Sequence, residues 1–179
     1  SEEETSVLQE SCKIYVYNSK GLIRKYHGMN EVPSELWLVS GNYKAEAWAG
    51  DSVPASFDKK YYKGATEFTV SANATAEAEI ACKIANVVTS VKFDSSLEGV
   101  LNDCKMIISH SKGNLEFTKE NEGAKGYFMM PKGETTLSYI LTGVKVDGNT
   151  YTQSGEITDV KSATEYAMTI KYNVKEFDP

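Results

Sequence analysis

Apolar and polar residues alternate in short runs along the whole chain, and no long stretch carries apolar residues at helical spacing. The run that anchors the pattern lies at residues 36–50. There Tyr43, Ala45, Ala47 and Ala49 fall on one side of a pleated strand, while Lys44, Glu46 and Trp48 fall on the other. Gly41 and Asn42 tolerate the positive φ of a tight reversal, so 36–50 is predicted to fold as a hairpin about Ser40, Gly41 and Asn42. Upstream, a strand is predicted at 12–17, with Cys12, Ile14 and Val16 on one face and Lys13, Tyr15 and Tyr17 on the other. A turn at 18–21, a strand at 22–26 and a loop at 27–34 follow. Beyond the hairpin, 51–63 reads as a long surface connection and 65–71 as a strand. At 75–84 a further strand is expected, with Ala76, Ala78, Ile80, Cys82 and Ile84 facing inward.

Residues 87–94 open a fresh strand, and 95–103 can form one short helix. Strands at 127–130 and 134–143 are predicted to hinge at Pro131, Lys132 and Gly133. Asp147-Gly148-Asn149 is a strong hairpin signal between 144–146 and 150–152. Tyr166, Met168 and Ile170 alternate through a closing strand, and Glu176 to Pro179 reads as a fraying end or the start of a linker.

The two halves repeat. Cys12-Lys13-Ile14 and Ser19-Lys20-Gly21 reappear as Cys104-Lys105-Met106 and Ser111-Lys112-Gly113 at the same internal spacing. Towards the ends, Glu67 and Thr69 match Glu156 and Thr158, Ala74-Thr75 matches Ala163-Thr164, and Ala78 matches Ala167, at one constant offset. The expectation is an all-β chain of two antiparallel β-sandwich domains in tandem, with at most one short helix: a flexible acidic leader at 1–11, a first sandwich at 12–86 and a second at 87–179.

Composition narrows the partners. A net charge of −6 with no basic stripe argues against nucleic acid, because phosphate binding needs a surface that displaces counterions. No apolar run approaches the roughly 18 to 20 residues that span a bilayer. Ser1 to Thr5 form a polar, acidic lead-in that implies a processed N-terminus, so a signal peptide or lipid-bearing cysteine would lie upstream.

Three cysteines leave at least one thiol unpaired. A Cys12–Cys82 bridge is one reading; buried free thiols acting as small hydrophobes are the other. His27 and His110 stand at no metal-ligand spacing, there is no Gly-x-Ser-x-Gly elbow, and no glycine loop suited to phosphate appears, so no cofactor or metal is expected. Paired carboxylates are the enzyme reading that remains, with Glu46, Asp51, Asp58, Glu67 and Asp103 as candidates. Aromatic residues point to binding instead. Trp37, Trp48, Tyr61 and Tyr62, with Tyr15 and Tyr17 beside them, lie on expected outward faces or in the surface connection, where rings can stack on sugars or meet a protein. Asp51-Ser52-Val53 fits a short O-glycosylation pattern, which makes Ser52 a candidate modification site. Asn73-Ala74-Thr75 fits an N-glycan sequon.

Leu38-Val39-Ser40-Gly41-Asn42-Tyr43, Ala47-Trp48-Ala49-Gly50-Asp51, Tyr61-Tyr62-Lys63-Gly64, Phe68-Thr69-Val70 and Cys82-Lys83-Ile84-Ala85-Asn86 together resemble an uncharacterised Bacteroidetes lipoprotein domain family over nearly the whole chain. At the level of fold the chain is also similar to the fimbrillin-like group. That resemblance implies two transthyretin-like or Ig-like sandwiches in a non-enzymatic lipoprotein, exported through the periplasm to the outer membrane or cell surface. It implies adhesion or fimbria-like assembly with protein partners; the alternative is a glycan-binding module of a polysaccharide-uptake system. Contact with the membrane would run only through an upstream lipid. Fimbrillins that polymerise are trimmed at an arginine, whereas the single arginine here, Arg24, falls within a predicted strand.

Overall fold

In the computed structural model, which describes residues 1–173, the alternating segments pair into an all-β molecule with one α-helix. Helix α1 (Glu2–Ser11) leads into β1 (Lys13–Asn18), β2 (Gly21–His27), β3 (Gly41–Gly50), the short β4 (Ala55–Ser56), β5 (Tyr61–Val70) and β6 (Lys83–Ile84). Strands β7 (Val87–Phe93), β8 (Leu101–His110), β9 (Gly113–Thr118), β10 (Gly126–Phe128), β11 (Leu137–Lys145), β12 (Thr150–Ile157) and β13 (Glu165–Ile170) follow. The described chain divides into two compact units: residues 1–52 with 60–85, and 53–59 with 86–173. A purely linear division at 86 leaves out that excursion of 53–59. Its β4 pairs with β10, and Phe57 meets Phe117 edge-on at 5.2 Å, so the excursion is part of the second unit's core.

The first unit is built on one antiparallel sheet, ordered β2-β1-β3-β5-β6. Its inner face buries Ile14 and Val16 from β1 against Tyr43, Ala45 and Ala47 from β3. Segments without ladder pairing cover this face, contributing Val32, Leu36, Leu38 and Ile80. The second unit has two sheets, β12-β11-β8-β9 and β13-β7-β10-β4, around a continuous core that includes Met106, Ile108, Phe117, Phe128 and Leu137. The pairing of β13 with β7 is parallel, against the antiparallel expectation. Read strand for strand, β9-β8-β11-β12 has the order of β2-β1-β3-β5. The Cys12 and Cys104 thiols each donate to the carbonyl three residues back, of Gln9 and Leu101.

Several local expectations are corrected. The hairpin at 36–50 does not form: β3 lies between β1 and β5, both its edges are taken, and 36–39 has no strand to join. Leu36 and Leu38 turn onto the core instead, leaving Trp37 and Val39 exposed. The expected strand at 75–84 pairs only at β6, and Ala76, Ala78 and Cys82 are exposed, because alanines bury too little apolar area to fix a strand. Strands β10 and β11 do not pair with each other. All three residues of β10 are buried between β7 and β4, while β11 joins β8 and β12. In place of the helix expected at 95–103 there is only a 3-10 turn at Ser95–Leu97, capped by the Asp94 carboxylate accepting from the Ser96 N–H, before Gly99 at φ 73 breaks the helical path and the chain enters β8 at Leu101. The flexible leader is instead α1, held by a reciprocal capping box between Ser1 and Glu4, with Glu2, Glu3 and Glu4 set against the positive end of the helix dipole. The end expected at 176–179 lies outside the described residues.

Candidate functional site

The outer face of the first unit's sheet is assembled by strand register. Because β3 is central, each outward residue on it has one cross-strand neighbour on β1 and one on β5. Trp48 stands opposite Lys13 on one side and Lys63 on the other. One row along, Glu46 stands opposite Tyr15 and Ala65. On β2, His27 faces Lys13 and Lys25 faces Tyr15. The Tyr15 and Trp48 rings meet edge-on with centroids 4.9 Å apart, and the Lys25 ammonium lies 5.2 Å from the Tyr15 ring centre. These contacts hold two half-buried rings in place among the exposed lysines Lys13, Lys25 and Lys63.

Glu46 is engaged by Lys44 at 2.7 Å, and the Glu46 carboxylate raises the proton affinity of Lys44 through that contact. Burial, followed by the charge of Glu46, pushes the Tyr17 phenol up. Burial alone does the same to Tyr61.

The aromatic residues expected to form one platform are separated. Trp48 and Tyr61 share the outer face, since Tyr61 lies opposite Gly50, two residues beyond Trp48. Tyr62 lies opposite Ala49, on the face turned to the core, and both tyrosines open β5 rather than sit in a surface connection. Trp37, 85% exposed, is on the loop before β3. Ser52 is exposed just past β3, and Asn73 occupies a turn at φ 60. Missing from the aromatic reading are the lysines. Each is an unremarkable outward residue on its own strand, and only the register sets Lys13, Trp48 and Lys63 side by side.

The remaining candidate groups are spread over both units. The three thiols are free, Cys12 buried and Cys82 exposed, and burial of the sulfur pushes each thiol up, away from the reactive thiolate. The His110 Nδ1 accepts from the Lys112 N–H and its Nε2 lies 3.0 Å from the Pro54 carbonyl, so the ring pins the 53–59 excursion to the β8–β9 turn. Beside it, an open, polar hollow of about 520 Å³ is lined by Ser111, Glu134 and Glu156; the Ser111 hydroxyl and N–H both donate to Glu134. Of the candidate carboxylates, Glu46 and Glu67 both flank Lys44, Asp58 accepts from the Ser56 hydroxyl, Asp51 is exposed past β3, and Asp103 sits at a bulge in β8 at φ 53. Among the described residues no group of three His, Cys, Asp or Glu side chains could hold a metal ion. No helix there is long and apolar enough to cross a membrane.

Fold and site together define an all-β protein with an aromatic and cationic sheet face. The model of a domain of unknown function, DUF4493, matches residues 1–178, and the chain belongs to that family. No curated protein matches it. Among solved structures, the chain is similar to a candidate adhesin from Bacteroides ovatus at 12% identity and a TM-score of 0.40, covering 96% of this chain and 88% of that one. It is similar also to the TIE protein of Bacillus anthracis at 12% identity and a TM-score of 0.28, covering 88% of this chain and 31% of that one.

Proposed function

We propose that this chain is a non-enzymatic protein of the bacterial cell surface, exported through the periplasm and anchored by an upstream lipid, that acts by binding in adhesion or fimbria-like assembly. The observation that carries the binding role is the solvent-facing group of Tyr15, Trp48 and Lys25 on a sheet braced on both sides of β3. Rings held on a rigid sheet present contact area without the entropy cost of ordering a loop. The lipoprotein and surface parts of the reading draw on the sequence resemblance. We further infer one ancestral unit copied once, supported by the shared order of four strands and the matching contacts of Cys12 and Cys104. Protease shaving of intact cells tests the location: the protein should be cleaved while a cytoplasmic marker is spared, and protection until lysis overturns the reading.

The outward rings favour a second reading, a glycan-binding module of a polysaccharide-uptake system. A glycan array with the wild-type chain and Trp48→Ala tests it. Binding should be lost in the variant; hits of equal strength in both chains count against it.

A further inference from the structure

We infer that the outer face of the first unit's sheet binds acidic polysaccharide, chains whose sugars carry carboxylate or sulfate groups, along the row Lys13, Trp48, Lys63. This rests on the glycan-binding reading and gives it a ligand class. Lys13 and Lys63 flank Trp48 on the two strands either side of it. With strands about 4.8 Å apart, the two ammonium-bearing positions stand roughly 10 Å from each other across the ring, about the reach of two linked sugars. A sugar stacked on the Trp48 face would therefore have a cation available on either side for its own acid group or that of its neighbour. Lys25 over the Tyr15 ring extends the positive surface past β1.

Two features make this group more than a chance scatter of lysines. The chain carries a net charge of −6, so a face with three lysines beside two ordered rings is a local reversal of the protein's overall sign. Of the face's carboxylates, Glu46 is taken by Lys44 and Glu67 stands opposite that same Lys44, and among the described residues no ion pair engages Lys13, Lys25 or Lys63. Their charge is not neutralised within the sheet. A neutral glycan would use the rings and leave the lysines without a role. A nucleic acid needs a longer basic track, and the net negative charge opposes it. Charge-assisted hydrogen bonds from ammonium to carboxylate or sulfate, combined with stacking, fit both halves of the face.

Calorimetric titration of the full chain with polygalacturonate, chondroitin sulfate, neutral dextran and duplex DNA tests the inference, with the wild type, Trp48→Ala and the double variant Lys13→Gln/Lys63→Gln compared. The lysines are exposed, so far-UV circular dichroism should be unchanged in the double variant. The expected result is binding of the acidic polysaccharides that weakens with added salt, falls about tenfold or more in the double variant, and is lost in Trp48→Ala. Dextran and DNA should bind far more weakly. Equal, Trp48-dependent binding of dextran and polygalacturonate would overturn the acidic preference and leave the glycan reading standing. Unchanged affinity in the double variant, or DNA binding as tight as that of the polysaccharides, also overturns it. Binding to no glycan at all removes both.

Discussion

Gly126 has little freedom in the second unit. A methyl group there would stand 2.6 Å from Leu115 Cδ1, 2.8 Å from Phe117 Cζ and 2.9 Å from Thr89 Oγ1, atoms already packed in or beside the core. Gly126→Ala should therefore destabilise the fold by about 1–3 kcal/mol, read from the shift in denaturant midpoint. Glu134 makes a prediction about pH. The Ser111 hydroxyl donates to it and holds its carboxyl below the usual range, with His110 and Lys112 adding to the effect. A folded-state value below the unfolded one contributes stability above the unfolded group's titration range, and that stability is lost as pH falls through the depressed value. Ser111→Ala should lower stability at neutral pH, with the gap from wild type closing in acid as both chains protonate Glu134; thermal melts across pH check this. At this scale the sequence reading placed Trp48 outward by alternation alone. It put Lys13 on the outward face too but gave the lysines no role, because charge on an outward strand face is ordinary and what matters is which residue lies across from it.

Hairpins were legible where the reversal is local. The turn at 18–21 joins β1 to β2, its sequence match at 111–113 lies at the turn joining β8 to β9, and Asp147-Gly148-Asn149 joins β11 to β12 as its residue chemistry predicts. In that turn Gly148 has φ 85, and the Asp147 carboxylate accepts from the Asn149 N–H. An added Cβ on Gly148 would meet nothing within 4 Å, so the cost of Gly148→Ala is that of the backbone alone, about 1 kcal/mol in chemical denaturation. Alternation at 36–39 and 75–82 did not become ladder. A period-2 pattern says that a segment suits a pleated, half-buried surface, and it cannot say whether an edge is free to receive it. Likewise the turn at Pro131 to Gly133 was read as closing a hairpin, when it carries the chain from β10 in one sheet to β11 in the other.

For the whole molecule, the two units differ in how much apolar material they enclose. The second buries one continuous cluster with Phe117, Phe128, Met106 and Leu137 almost inaccessible, whereas the first has two small clusters resting on Ile14, Val16 and Tyr43. Two units with separate cores need not melt together, and the smaller core is expected to go first. Both tryptophans, Trp37 and Trp48, belong to the first unit, so tryptophan fluorescence should report a lower denaturant midpoint than far-UV circular dichroism, which sees both units. Phe128→Ala should cost about 3–5 kcal/mol and move the later transition alone. Coincident fluorescence and dichroism curves, shifted together by that variant, would mean that the units unfold as one.

By itself the sequence determined the all-β class, the repeated segments and the faces of β1 and β3, because alternation and turn chemistry act between residues close in the chain. Tertiary structure alone decided that β3 lies between β1 and β5, that 53–59 enters the second unit's core, and that β13 runs parallel to β7. It also decided that Lys13, Trp48 and Lys63 form a row. Those outcomes depend on which strand edges remain free once the others have paired, and on which apolar faces still need cover. Neither competition is written at any one position in the chain.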